Sequence, residues 1–204
     1  MLGHCGSMAC NQNITSFFSK PSSKSEQMSA AQLIISSFPE FYDLFGLSDE
    51  ILTEYIIKEI QDASSEVGYT ECLIIESEVR GIISCLPASK LKMAQLSSLF
   101  RFQTHFMREF SNQASAAFRK HAASVEPIDS NSFYLSRIAV DPTFRRQGFG
   151  KKLLARLEKL GEAYGELTLH VNSSNSTAIS LYESYGFSKT SNTKWKYLSM
   201  SKII

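Results

Sequence analysis

Residues Arg145-Arg146-Gln147-Gly148-Phe149-Gly150-Lys151 combine two glycines with three cations inside seven positions. They follow a strand-like run, Phe133 to Val140, closed by Asp141-Pro142, and they precede an amphipathic helical pattern. A strand, a glycine-containing turn and a helix start together suit a phosphorylated ligand. The first N–H groups of a helix have no partners within it, and the helix dipole favours an anion there. Gly148 and Gly150 would let the main chain approach that anion closely. Arg145, Arg146 and Lys151 add positive charge.

The spacing excludes two familiar phosphate loops. A Walker loop needs a glycine five residues before Gly-Lys and a hydroxyl residue after it. Here Arg145 holds the early position and Lys152 follows Lys151. A dinucleotide fingerprint needs a third glycine and an acid about 20 residues on. Leu153 stands where that glycine belongs, and the next strand-like run ends at Val171-Asn172.

The elements around the turn follow from periodicity. Phe149, Leu153, Leu157, Leu160 and Tyr164 mark one face of a helix that Gly165 ends. Leu167 to Val171 alternates as a strand, with His170 on it. Asn175 or Ser174 opens a short helix holding Ala178, Ile179, Leu181, Tyr182 and Tyr185, closed by Gly186. Phe187 onward, with Trp195 to Ser201, reads as a final strand pair. Upstream, Ile14 to Phe18 reads as a first strand and Ser19 to Ser29 as a connector. Ala30–Phe38 and Asp49–Ala63 carry helical spacing, and Thr70–Glu76 and Val79–Leu86 form a hairpin. Residues 87–130 read as a helical insertion between the third and fourth strands. Its stripe of Leu91, Met93, Leu96, Leu99, Phe100, Phe106 and Phe110 is expected in the core. Its Arg101, His105, Arg108 and His121 read as solvated charges rather than as readers of an anionic acceptor.

The chain of 204 residues is 43% hydrophobic with a net charge of +1. That suits one domain over residues 13–204 after a flexible stretch at 1–12. It offers no global basic field for nucleic acid. No apolar run nears the roughly 18 residues of a membrane span. Residues 1–13 lack the basic start and apolar segment of a signal peptide. Four cysteines suit free thiols in a reducing cytoplasm, with Cys72 and Cys85 in the core. His4, Cys5 and Cys10 match no zinc spacing, so no metal is expected.

Arg145-x-x-Gly148-x-Gly150, after Ile138-Ala139-Val140-Asp141-Pro142 and before Asn175-x-x-Ala178-x-x-Leu181-Tyr182-x-x-x-Gly186-Phe187, resembles the GNAT superfamily of acyl-CoA-dependent N-acyltransferases. The close resemblance covers roughly Phe133 to Phe187. It implies an α+β fold, an α/β/α sandwich. Its central sheet would be mixed and mostly antiparallel, with about six to seven strands and helices on both faces.

The resemblance implies acetyl-CoA as co-substrate, its pyrophosphate in Arg145–Lys151. The donors would be N–H groups of Arg146, Gln147, Gly148, Gly150 and Lys151. The pantetheine arm would lie along the backbone of Ile138, Ala139 and Val140, and Asn175 would contact the cofactor. Tyr182 would protonate the departing thiolate, as a phenol with a pKa near 10 is able to. The family often supplies a base as a glutamate on the fourth strand, but no acid lies between Phe133 and Val140. His170 is the nearest titratable substitute, with Tyr134 and Glu76 behind it. No cysteine is placed for a covalent intermediate. The expected reaction is therefore acetyl transfer to a primary amine by direct attack in a ternary complex. A small-molecule acceptor is expected because the insertion would cover the acceptor site. The alternatives are acetylation of a protein lysine or amino terminus, and a non-catalytic CoA-binding module. The protein is expected to be a monomer or homodimer.

Overall fold

Where β-branched and aromatic runs alternate, the chain forms strands, and those strands join into one sheet. The computed structural model describes residues 15–190 and 196–204. The expected flexible stretch at 1–12, with His4, Cys5 and Cys10, lies outside the described residues, as does Trp195. The strands are β1 (Ser16–Ser19), β2 (Thr70–Ile75), β3 (Glu78–Pro87), β4 (Phe133–Val140), β5 (Glu166–Asn172), β6 (Ser188–Lys189) and β7 (Tyr197–Ile203). They lie in the order β1-β2-β3-β4-β5-β7-β6. Every neighbouring pair is antiparallel except β4 with β5. This is the expected mixed, mostly antiparallel sheet.

Helices cover both faces. On one face lie α1 (Lys24–Ser37), the short α2 (Pro39–Tyr42) and α3 (Asp49–Gln61), with the insertion helices α4 (Ala88–His105) and α5 (Met107–Ala122). Their apolar sides meet Cys72, Ile74, Val79 and Ile82 of the sheet. On the other face lie α6 (Phe149–Gly161) and α7 (Ser176–Ser184). Leu153, Leu154 and Leu157 of α6 are completely buried against Leu73, Ile83, Leu135 and Leu169.

Several boundaries differ from the sequence reading. The expected connector at Ser19–Ser29 is helical from Lys24. The reason is a capping box: Ser23 Oγ accepts from Glu26 N–H at 3.2 Å, and the Glu26 carboxylate accepts from Ser23 N–H at 3.0 Å. The apolar stripe of the insertion also divides. Phe102, outside the stripe, is buried against Phe45, Tyr55 and Phe106, whereas Met93, Leu96 and Phe100 are exposed. Arg101 is not a solvated charge. It grips the buried Glu59 of α3 through Nε at 2.6 Å and Nη2 at 2.9 Å, fixing α4 to α3. His105, by contrast, is exposed.

One irregularity in β4 shapes the site. Ser84 of β3 faces Arg137, while the next residue, Cys85, faces Leu135, so Ser136 is an extra residue. Such a bulge reverses the alternation of side chains beyond it. Leu135, Ile138 and Val140 therefore share the α6 face, and Ala139 joins the α1 face.

Candidate active site

β4 and β5 pair only from Phe133↔Leu167 to Leu135↔Leu169. Beyond that point β4 continues to Val140 beside β3, and β5 continues to Asn172 beside β7. The edges of Ser136–Val140 and His170–Asn172 that face each other have no ladder partner among the described residues. Such an edge offers free N–H and C=O groups to an extended, amide-bearing ligand.

β4 leads directly into the cationic turn. Asp141 sets the exit: its carboxylate accepts from Thr143 N–H at 2.9 Å and from Arg80 at 3.0 Å. A single 3₁₀ turn, Pro142–Phe144, follows. Arg146 (φ 62°) and Gly148 (φ 85°) then take left-handed conformations that swing the chain into α6. Among the described residues, the N–H groups of Arg146 to Lys151 have no backbone acceptor; the first bond across the boundary is Lys152 N–H to Gly148 C=O at 3.2 Å. The turn thus presents free donors at the positive end of a helix.

Its side chains divide in role. Arg145 Nε donates to Val140 C=O at 3.1 Å and Gln147 Nε2 donates to Thr143 C=O at 3.2 Å, so both brace the loop. Arg146 and Lys151 are exposed. A Cβ on Gly148 would meet nothing within 4 Å, so there it is the backbone angle that requires glycine. At Gly150 a Cβ would lie 3.0 Å from Leu181 Cδ2, so its bareness also serves the packing of α6 on α7.

At the fork of β4 and β5 stands a hydrogen-bonded pair. Tyr134 Oη and His170 Nδ1 are 3.1 Å apart, and His170 Nε2 is 2.8 Å from Glu126 C=O. A carbonyl only accepts, so Nε2 carries the hydrogen, and Nδ1 accepts from Tyr134. The ring is neutral. Burial lowers the His170 pKa, against the raising influence of the Glu126 carbonyl. Glu76, in contrast, sits in the β2–β3 turn. The register Gly81↔Val140 and Pro87↔Phe133 puts that turn at the opposite end of β4, away from this pair.

Tyr182 enters from the other face. Its ring is buried and meets Phe187 at 5.9 Å between centroids. Its hydroxyl bonds to no other described residue, and burial raises its pKa, so it stays protonated. It is near enough to raise the Tyr134 pKa electrostatically, after burial and Glu66. Asn175 is the cap of α7, accepting from Ala178 N–H at 3.1 Å.

The sequence reading missed the polar and aromatic layer above this fork. Arg137, re-aimed by the bulge, pairs with Glu66 at 3.1 Å and stacks 5.0 Å over Phe38. Phe38 meets Phe41, His121 and Tyr197 edge or face at 5.1–5.7 Å. His121 was expected to be solvated; it is enclosed by these rings. Burial, with Arg137 beside it, pushes its pKa down to about 4. Glu40 is bonded to Asn172 and Tyr197. Arg137 Nε and His121 Nδ1 are buried without partners. A cavity of about 40 Å³ adjoins Arg137, Tyr42 and Glu66, room for a water. The signal lay in Ser136-Arg137, a polar pair interrupting an apolar strand, and in Phe38-Pro39, which ends α1. Among the described residues no cluster of His, Cys, Asp and Glu could hold a metal, and no helix is long and apolar enough to cross a membrane.

Residues 99–197 match the family model described as an acetyltransferase (GNAT) domain. The chain is 38% identical over 84 residues to the [ribosomal protein bS18]-alanine N-acetyltransferase of Salmonella typhimurium, covering 40% of this chain and 57% of that protein. The match thus spans little more than half of the relative. Among solved structures, an N-acetyltransferase from Staphylococcus aureus Mu50 superposes with a TM-score of 0.71 at 17% identity, over 92% of this chain and all of the other. The PaiA N-acetyltransferase of Thermoplasma acidophilum, solved in complex with coenzyme A, superposes at 0.52 and 17% identity, over 94% and 100%. The forked strands and the turn between β4 and α6 agree with the matched segment: residues 99–197 are similar to a GNAT acetyltransferase domain, and the whole chain shares the fold of solved N-acetyltransferases.

Proposed function

We propose that this protein transfers the acetyl group of acetyl-CoA to the primary amine at the amino terminus of a protein or peptide, by direct attack in a ternary complex. The observation that carries the reading is the unpaired edge Ser136–Val140 running into the free N–H groups of Arg146–Lys151. Ile138, Ala139 and Val140 would pair with the pantetheine amides. The donors at Arg146, Gln147, Gly148, Gly150 and Lys151 would hold the diphosphate, with Arg146 and Lys151 adding charge. Arg145 shapes the loop, and Asn175 contacts the cofactor through the atoms its cap leaves free. Residues 13–204 act as one domain, with 87–130 as its insertion.

The acceptor favoured here differs from the small molecule expected from the sequence. The bacterial relative above is named for alanine acetylation of a ribosomal protein. Chemistry supports the change. An α-amino group has a pKa of about 8, against about 10.4 for lysine, so a weak base suffices to free it. His170, neutral and of lowered pKa, is such a base. The acceptor proton passes to Tyr134 Oη as the Tyr134 proton moves to His170 Nδ1. The amine nitrogen bonds to the thioester carbonyl carbon, the C–S bond breaks as Tyr182 gives its proton to the leaving sulfur, and the extra proton on the new amide nitrogen returns to Tyr182. Holding amine and thioester together supplies much of the rate.

A small acceptor is the second reading. The exit of the insertion closes over the fork: Ser124 C=O accepts from Tyr197 N–H at 3.3 Å, and Glu126 C=O accepts from His170. The test is thiol release from acetyl-CoA with amino-terminal peptides and small amines, products identified by mass spectrometry. Acetylated peptide amino termini support the main reading. Product from small amines alone overturns it in favour of the second, and no thiol release with intact CoA binding leaves a binding module.

A further inference from the structure

Glu40 holds a carboxylate where a guest at the fork would meet it. Its Oε1 accepts from Asn172 Nδ2 at 2.7 Å and from Tyr197 Oη at 3.2 Å. Asn172 ends β5 and shares a face with His170, two residues before it. Tyr197 begins β7, and its ring meets Phe38 and His121. One oxygen is therefore fixed from two strands, while no other described residue bonds Oε2. Glu40 is half-buried. Burial works to raise its pKa, but the bonds from Asn172, its own N–H and Tyr197, with the charge of Lys196, overcome this and keep it ionised.

Lys196 is near enough to lower the Glu40 pKa, but no cation among the described residues forms an ion pair with that carboxylate. Arg137 is paired with Glu66, His121 is neutral, and Lys196 lies 5.3 Å over the Tyr197 ring rather than within ion-pair reach of Glu40. A rigid carboxylate with one free oxygen, two residues along the strand from the proton-accepting pair, suits a cation on the acceptor.

The geometry points to Glu40 as the residue that sets acceptor specificity, favouring amino termini with a lysine or arginine in the first two residues and disfavouring acidic ones. This rests on the amino-terminal reading above.

The test uses three peptides that differ only in a second residue of Lys, Ala or Glu, with saturating acetyl-CoA, and compares the protein with Glu40→Gln and Glu40→Lys. Glutamine keeps the acceptor oxygen for Asn172 and Tyr197 and removes only the charge. The expected order for the native protein is Lys above Ala above Glu, about tenfold per step in kcat/KM. Glu40→Gln levels the order, chiefly through KM, and Glu40→Lys reverses it. CoA affinity by calorimetry certifies that each variant is folded. An order that survives in Glu40→Gln overturns the assignment of Glu40 while leaving amino-terminal acetylation standing. If no peptide is acetylated, the amino-terminal reading falls. The variants are then compared on a diamine and a monoamine of equal length, where an unchanged diamine preference rejects Glu40 as well.

Discussion

At the scale of single residues, the proposed chemistry turns on three side chains whose protons the fold controls. His170 is held by a bond at each ring nitrogen, one to Tyr134 and one to Glu126 C=O, which leaves Nδ1 as the proton-accepting atom of the proposed relay. Tyr182 is held protonated by burial. Tyr182→Phe is expected to lower kcat about 10- to 100-fold, the scale of general acid catalysis, with CoA affinity kept. His170→Ala and Tyr134→Phe should lower kcat similarly and lose the acidic limb of the rate profile. That limb reflects His170 and should lie below pH 6.5, because burial lowers its pKa. Stopped-flow and steady-state rates across pH check this. Unchanged turnover in Tyr182→Phe, with chemistry rate-limiting, would remove it from the acid role. Tyr182 was visible in the sequence only through the motif around it, since a tyrosine on an apolar helix face otherwise reads as core. His170 was legible as a titratable group on a strand, but its partner Glu126 was not, because a main-chain carbonyl from a loop leaves no mark on residue type.

At the scale of elements, the insertion is the part whose position decides most. α5 carries His121 into the rings of Phe38, Phe41 and Tyr197, and α4 is clamped to α3 through Arg101 and Glu59. Folding keeps His121 neutral to about pH 4, whereas an unfolded histidine protonates near 6.5. The unfolded chain therefore binds the extra proton between those values. Stability from this group is whole above about pH 6.5 and is lost as pH falls, completely by about pH 4. His170, also lowered, acts with the same sign. Thermal unfolding from pH 7 to 4.5 should show a steeper fall for the native protein than for His121→Phe. The difference should approach about 1.4 kcal/mol, or about 3–6 °C, per pH unit. Parallel curves would contradict it. The burial of His121 was hidden because one histidine directly after Arg119 and Lys120 looks solvated until the helix has a place. α1 shows the opposite case. Ser23 and Glu26 spelled a capping box three residues apart, but the surrounding serines and Pro21 looked like a connector.

At the scale of the whole molecule, the sheet is arranged around one interruption. Period-two runs made the strands and their order readable, and the turn at Gly148 was visible from its residues. The Ser136 bulge was not, because an extra residue in a strand changes which way side chains point without changing their types. From it follow the placement of Arg137 and much of the layer over the fork. The central claim is that the β4 edge and the turn after it hold the thioester cofactor through main-chain amides. Amide hydrogen exchange with and without CoA reads those groups directly. The account predicts slowed exchange at Arg146–Lys151 and along Ser136–Val140 once CoA is bound. Saturating CoA with exchange unchanged in both stretches would contradict it.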